Sequence, residues 1–428
     1  MAMPHLRLSQ PAQRAADQSI SYLMQAGFQY PNCISLAAGF VDEATLPTQL
    51  VRDAVQRVLT SGAGGRPTLQ YGTTPGVESL RAVFRGHLAA LEDNPAVNDL
   101  PLERIMLTTG SQQLLCLLSQ ALFDPGDICL VAAPTYFVYL SVLDGVGAKV
   151  IPVPTDDRGI LPDGLEATLQ RLDDQGDRER VRIVYVVSYY DNPSGVSISA
   201  DRRESLVRIV QRWSSSKHTI LLLEDAAYRE LRFDGPVLPS LWSYDTTGET
   251  VILTQTFSKS FSPGLRVGLS VLPQSLVKPI SDLKGNEDFG SARLNQHLIA
   301  DVLTSGSYED HVKRVVAAYT VKRDAMLAAA DEFFADIPGV EWKCPQGGLY
   351  VWMSLAPEIP TGFDSPLFKF ATQTADVIFV PGELCYPTTW SNKPRNQMRL
   401  SFGVESPETL REGMQRLARA VRHVMEHC

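Results

Sequence analysis

Ile220-Leu221-Leu222-Leu223 runs straight into Glu224-Asp225-Ala226-Ala227-Tyr228. Four consecutive apolar residues in so short a run read as a strand buried on both faces. A carboxylate at the end of such a strand is partly desolvated and needs a partner. Similar runs recur through the middle of the chain, at Ile105–Thr109, Ile128–Ala132, Lys149–Pro152, Ile183–Ser188, Val251–Thr256 and Val267–Val271. Amphipathic stretches such as Gln112–Leu122 and Arg202–Trp213 lie between most of them. Apolar strands alternating with helices predict an α/β fold, a mainly parallel seven-stranded sheet sandwiched by helices.

The end of the chain has a different texture. A long helical pattern covers Tyr308 to Phe334, and short strands are predicted at Val340–Lys343, Leu349–Met353, Val377–Val380 and Met398–Phe402. A last helix is predicted over Pro407–His423. This mixture predicts a smaller α+β domain. The first fifty residues are too few for a core of their own and are expected to pack on that domain or across a subunit boundary. The expected division is 49–310 for the large domain, and 1–48 plus 311–428 for the small one.

Composition bounds the function. The chain has 428 residues, 44% hydrophobic and 20% charged, an ordinary globular balance that excludes a disordered chain or a disulfide scaffold. Thirty-nine basic and 48 acidic residues give a net charge of −9. That disfavours nucleic acid or an anionic membrane as a partner, since both need a basic face. The six cysteines are scattered without a C-x-x-C pair, and they read as buried reduced thiols with no metal site. The start lacks the apolar core of a signal peptide, and no apolar run approaches a membrane span, so a soluble cytoplasmic protein is expected.

In an open α/β sheet, ligands bind beyond the carboxyl ends of the strands. The loops there carry unusual residues. Thr109-Gly110-Ser111-Gln112-Gln113 opens a helix, where free N–H groups and the dipole make an anion site; alternatively Ser111 simply caps it. Tyr136 follows the next strand and is either a stacking face for a flat ligand or a packing aromatic. Asn192, in Asp191-Asn192-Pro193-Ser194-Gly195, is a turn residue or a donor aimed into a site. Asp225 is a helix cap or the partner of a ligand cation, with Tyr228 three residues on. Lys259 sits among small and apolar residues in Thr256-Phe257-Ser258-Lys259-Ser260-Phe261. It is a surface amine, or a desolvated one of the sort that Schiff-base chemistry requires. Thr256 and Ser258 with Arg266 make a second anion grip. An amine, an acid, a flat aromatic face and a phosphate cradle on one sheet edge are the set that pyridoxal 5′-phosphate needs.

On these residues the chain resembles the fold-type I pyridoxal-phosphate-dependent aminotransferases, class I/II branch, and within it the 2-aminoadipate/kynurenine aminotransferase-like group. The resemblance runs from Ser35-Leu36-Ala37-Ala38-Gly39 to Arg399-Leu400-Ser401-Phe402-Gly403. It implies pyridoxal 5′-phosphate as cofactor, bound by Lys259 as an internal aldimine. Asp225 is implied at the pyridinium nitrogen, and Tyr228 and Asn192 at the ring oxygen. Tyr136 would stack on the ring, and Ser111, Gln112, Thr256, Ser258 and Arg266 would hold the phosphate. Three further positions follow. Tyr71 would reach the phosphate of a neighbouring subunit, Arg399 would clamp the substrate carboxylate, and Gly39 would line the substrate. The implied activity moves an amino group from an L-amino acid to a 2-oxo acid by a ping-pong route, in a homodimer with composite sites. Selectivity is expected from loops near the N-terminus, from Lys284–Arg293 and from the partner subunit. Asp42-Glu43, just after Gly39, is expected to disfavour acidic substrate side chains.

Two other readings share parts of this pattern. A lyase, oxidase or synthase of the same fold would keep Lys259, Asp225 and Arg399. An aminotransferase-like transcription regulator would need roughly 70 or more extra basic residues ahead of this region, whereas 34 residues precede Ser35 here.

Overall fold

The computed structural model describes residues 7–15, 30, 32–62 and 65–427. Cys428 and much of the stretch before Cys33 therefore lie outside the described residues. Seven strands form the main sheet: β1 (Ile105–Thr108), β2 (Ile128–Ala132), β3 (Lys149–Val153), β4 (Val181–Val187), β5 (Leu221–Asp225), β6 (Val251–Thr256) and β7 (Gly268–Val271). Their spatial order is β1-β7-β6-β5-β4-β2-β3. All neighbours run parallel except β7, which is antiparallel to both β6 and β1.

The apolar runs form strands because both faces are covered. Ile183, Tyr185, Leu221 and Leu223 point into one core, while Val184, Val186 and Leu222 point into a second core on the opposite face. Each such side chain contributes about 1.5–3 kcal/mol by leaving water. Period-2 alternation then fixes the strand's end: Asp225 follows Leu221 and Leu223, and Glu224 follows Leu222. Helices α1 (Ser111–Leu122) and α2 (Phe137–Val146) follow β1 and β2 directly.

The second part of the fold is built around α3 (Ser307–Phe334) and α4 (Pro407–His427), joined on their outer faces by Arg411 to Glu332 and Arg422 to Asp336. Helix α4 buries Leu410, Met414, Leu417, Val421 and Val424, a stripe at helical spacing. Its sheet is antiparallel, ordered Glu341–Trp342, β8 (Tyr350–Ser354), β9 (Gln397–Ser401), Val380–Pro381. The single strand predicted at Val377–Val380 is instead two. Val377–Ile378 pairs in parallel with Ile34–Ser35, and Val380–Pro381 pairs with β9. Phe379 between them is fully buried.

Two differences concern the ends and the thiols. The helix Gln10–Arg14, expected with the small domain, lies on α2, where Arg14 Nε donates to the Gly145 carbonyl at 3.0 Å. The five described cysteines are free, but Cys344 is exposed, because it lies in the irregular segment between Glu341–Trp342 and β8. Among the described residues, no helix is long and apolar enough to cross a membrane.

Candidate active site

The carboxyl ends of the strands open on a cavity of about 580 Å³. Every residue assigned above to the cofactor, together with Gly39 and Arg399, lines it, except Tyr71; Asp42, Glu43 and residues 284–293 do not.

The phosphate end is made by two turns pressed together. Gly110 (φ +72°) is the N-cap of α1 and makes no side-chain capping bond, so Ser111 is the first helical residue and not the cap. The first N–H groups of α1 are thus left without an intrahelical partner, which is the basis of an anion site. Gly268 permits the approach: a Cβ there would fall 2.7 Å from the Gly110 carbonyl carbon and 2.9 Å from Ser111 N. Arg266, itself at φ +52°, donates from one nitrogen to Ser258 Oγ at 3.3 Å and from the other to the Thr109 carbonyl at 3.4 Å. Thr256 Oγ1 lies 2.9 Å from Ser258 Oγ, so the two hydroxyls and the guanidinium form one chain. Gln112 lines the cavity beside them, and its amide Nε2 is the end that can donate to an anion.

The centre holds a base and an acid. Lys259 Nζ donates to the Gly39 carbonyl at 2.7 Å. Burial pushes its pKa down; Tyr350 works against this, and Arg399 and Arg266 add to it. Asp225 accepts from the Tyr185 hydroxyl and from Ala227 N, both at 3.1 Å. No Lys, Arg or His pairs with it among the described residues, and burial raises its pKa to about 6. It does not cap a helix; the segment after it is a chain of turns.

The substrate end is a network. Arg399 is 3% exposed; it donates to Asn192 Oδ1 at 2.9 Å and to the Ala37 carbonyl at 2.7 Å, and its Nε has no partner. Asn192 Nδ2 donates to the Tyr228 hydroxyl at 3.4 Å. Tyr136, whose pKa burial raises, sits at the start of α2 on the cavity wall.

A buried carboxylate without a cation, a lowered amine, a cradle of free N–H groups with an arginine, and a buried arginine with a spare donor fit pyridoxal phosphate and an amino acid. Comparison with known proteins agrees. The family model "Aminotransferase class I and II" matches residues 31–417. The chain belongs to the class I and II aminotransferases. These are pyridoxal 5′-phosphate enzymes, and so is this one. Aromatic-amino-acid aminotransferase 1 of Thermococcus litoralis is 33% identical over 395 residues, 92% of this chain and 89% of that protein. The crystal structure of a multiple substrate aminotransferase from Thermococcus profundus superposes with a TM-score of 0.88 at 32% identity, covering 98% of each chain. A kynurenine aminotransferase from Pyrococcus horikoshii, solved in complex with PMP, gives 0.87 at 30% identity, covering 98% of this chain and 97% of that one.

Several expectations for this aminotransferase are corrected by the structure. Asp42 does not face substrate: it is buried, caps the turn Glu43–Thr45 and pairs with Lys322 at 3.1 Å. Lys284 is no selectivity residue, because its Nζ is fully buried and bonded to Asp288 at 2.7 Å, Ser291 at 2.8 Å and Gln113 at 3.1 Å. Tyr189 and Tyr190, a bulky pair just before Asp191 to which the sequence assigned no role, are packing residues. Arg203 and Arg229 lie over the Tyr189 ring, and Tyr190 (φ +45°) fills the space left by Gly347 and Gly348. Sequence reading missed Tyr350, Tyr185 and Phe137. Tyr350 lines the cavity and its ring lies 4.3 Å beneath the Arg399 guanidinium carbon. Tyr185 carries the hydrogen bond to Asp225, and Phe137 lies 5.5 Å from the guanidinium carbon on another side. The signal was there in part: Tyr350 lies in the strand predicted at Leu349–Met353, and Tyr185 in the one at Ile183–Ser188.

Proposed function

We propose that this aminotransferase works through the residues gathered in the cavity. It moves an amino group from an L-amino acid to a 2-oxo acid in two half-reactions. The observation that carries the reading is Asp225, a fully buried carboxylate facing the same cavity as Lys259 and paired with no cation among the described residues. Pyridoxal phosphate, when bound, supplies an electron sink for the charge that develops at the donor's Cα. Lys259 would hold the cofactor covalently through Nζ, and its amine is the base placed to take the proton from the donor's Cα. Asp225 holds a proton on the pyridine nitrogen. Ser111, Gln112, Thr256, Ser258 and Arg266 hold the phosphate, and Tyr136 covers one face of the ring. Asn192 and Tyr228 hold the ring oxygen. Arg399 clamps the donor carboxylate beside Gly39 and so orients the Cα–H bond, an effect on rate as well as on affinity.

We read 49–310 as the cofactor-binding unit and the two chain ends as the small one, apart from Gln10–Arg14. A homodimer follows from the resemblance and from an exposed apolar patch. Tyr71 is 81% exposed and packs against exposed Phe289 at 6.1 Å, beside exposed Leu69. This is where a second copy would bring Tyr71 to its neighbour's phosphate. The T. litoralis relative makes aromatic amino acids the first donors to test. Purified enzyme is incubated with a donor panel and 2-oxoglutarate or pyruvate, and products are read by amino-acid analysis. A new amino acid formed in step with donor loss is the expected result. Pyruvate and ammonia without any new amino acid would overturn it in favour of a lyase.

A further inference from the structure

We propose that Tyr350 is a positioning residue joining the two ends of the site: its ring seats Arg399 and its hydroxyl donates to Tyr228. The inference rests on the reading that Tyr228 faces the cofactor's ring oxygen.

The backbone sets the placement. Tyr350 opens β8 opposite Ser401 of β9, so Arg399, two residues earlier on β9, is its diagonal neighbour on the same face. That register puts the guanidinium carbon 4.3 Å from the ring centroid, a cation–π contact shielded from water. Gly347 and Gly348 make the strand's start possible, since a Cβ on either would lie within 2.9 Å of Tyr190. Above the ring, the Gly39 turn closes down until a Cβ there would fall 2.9 Å from the Tyr350 hydroxyl. The same hydroxyl is 3.2 Å from that of Tyr228.

The direction of that hydrogen bond can be argued. The charged and titratable groups facing Tyr350 are Arg399, Lys259, Tyr228 and Cys385, with Tyr136 and Tyr319 nearby. Burial pushes the Tyr350 phenol up, but Arg399, Lys259 and the bond to Tyr228 together leave it below its ordinary value. Burial pushes Tyr228 well above its own. Each hydroxyl has one proton; if Tyr228 gives its own to the cofactor's ring oxygen, the proton shared between the two phenols comes from Tyr350, so Tyr350 donates and Tyr228 accepts. Tyr228 also accepts from Asn192 Nδ2. Its two lone pairs are then used, and its own proton is left to give. A phenol that accepts two hydrogen bonds is a stronger donor, because linked bonds polarise one another.

The test uses Tyr350→Phe, Tyr350→Leu and Tyr228→Phe holoenzymes. One readout is the pH midpoint of the bound cofactor's visible absorption change; a second is KM against kcat for an amino donor; a third is cofactor affinity of the apoenzyme by fluorescence. Tyr350→Phe keeps the ring and is expected to raise the midpoint by roughly half a unit, with donor KM within twofold of wild type. Tyr228→Phe raises the midpoint further. Tyr350→Leu shifts the midpoint like the Phe variant and also raises donor KM by about tenfold, because Arg399 loses its seat. If Tyr228→Phe moves the midpoint and Tyr350→Phe does not, the hydroxyl has no such role, while the reading of Tyr228 stands. If neither moves it, the reading of Tyr228 falls and the proposal with it. An unchanged KM in Tyr350→Leu removes the role assigned to the ring.

Discussion

Glu224 and Asp225 are neighbours on one strand and belong to different worlds. Strand alternation sends Glu224 to the far face and Asp225 to the cavity. Both are buried, and burial raises the pKa of both. Glu224 is fully partnered: it accepts from Ser188 Oγ at 2.7 Å and Trp242 N at 2.9 Å, with Arg203 at 3.7 Å. Arg203 in turn spends its nitrogens on the Ile198, Pro239 and Ser188 carbonyls. Asp225 has a phenol and one N–H, and no cation. The arginines repeat the contrast, for Arg203 is saturated and Arg399 keeps an unpartnered Nε. A buried charge saturated by its own fold is structural. One left short of partners on a cavity wall is a site for something else.

Substitutions can break this contrast. The largest effect belongs to Lys259→Ala, which removes the amine on the cavity face. Turnover should fall by more than about four orders of magnitude, and borohydride should no longer fix cofactor to the protein. Cofactor trapped on that variant as on wild type would show that another amine is used. On the opposite face, Glu224→Ala leaves Arg203 buried without a counter-charge. It should cost about 3–5 kcal/mol in denaturant melts, with residual kcat near wild type at temperatures where it stays folded. A mild Glu224→Ala would mean that the far face carries no obligatory ion pair.

How much of this was legible beforehand follows from the same physics. All seven strands of the main sheet were readable, because residues buried on both faces must be apolar and β-branched. Lys259, Asp225 and Arg266 stood out because charge conflicts with such surroundings. Tyr350 and Tyr185 did not, because an aromatic in a strand looks like core until the cross-strand register is known. Lys284 misled for the opposite reason: its partner, Asp288, stands one helical turn on, and the burial of the pair is tertiary. Asp42 likewise found Lys322 across the fold. The displacement of the cap from Ser111 to Gly110 is a shift of one residue, below what local pattern resolves. Tyr71 lies outside the cavity, and the role the resemblance implies for it calls for a second copy, which no single-chain pattern encodes.

Smaller than the loss at Lys259 is that expected for Asp225→Asn. The amide keeps the shape and the bond from Ala227, and loses the negative charge. Turnover should drop about 10²–10³-fold, the usual effect of removing one preorganised electrostatic partner, with weaker cofactor binding in parallel. Near wild-type kinetics would place Asp225 with Glu224 as a structural acid.

The smallest effect is the most direct test of the contrast, because it needs no turnover. The Asp225 carboxyl titrates at about 6 in the fold against 3.8 ordinarily, so the folded apoenzyme holds this proton more tightly than the unfolded chain. Below pH 4 both states carry the proton and the site is neutral in its effect. Between pH 4 and 6 the unfolded chain releases it first, and stability falls as pH rises. Above pH 6 the full cost of a buried unpaired carboxylate remains, on the order of 3 kcal/mol at most. Asp225→Asn removes that cost. Apo Asp225→Asn should therefore melt higher than apo wild type at pH 8 and level with it near pH 4. Asp191, raised to about 7 chiefly by burial, is pushed up further by the Asp225 charge, so removing that charge eases Asp191 too and adds to the difference at pH 8 in the same direction. Added pyridoxal phosphate should reverse the order at pH 8, since only the carboxylate can pair with a protonated ring nitrogen. Paired melting curves at pH 4.5 and 8, with and without cofactor, read this directly. Equal apo stabilities at pH 8 would mean that the fold already neutralises Asp225, and the distinction from Glu224 would be lost.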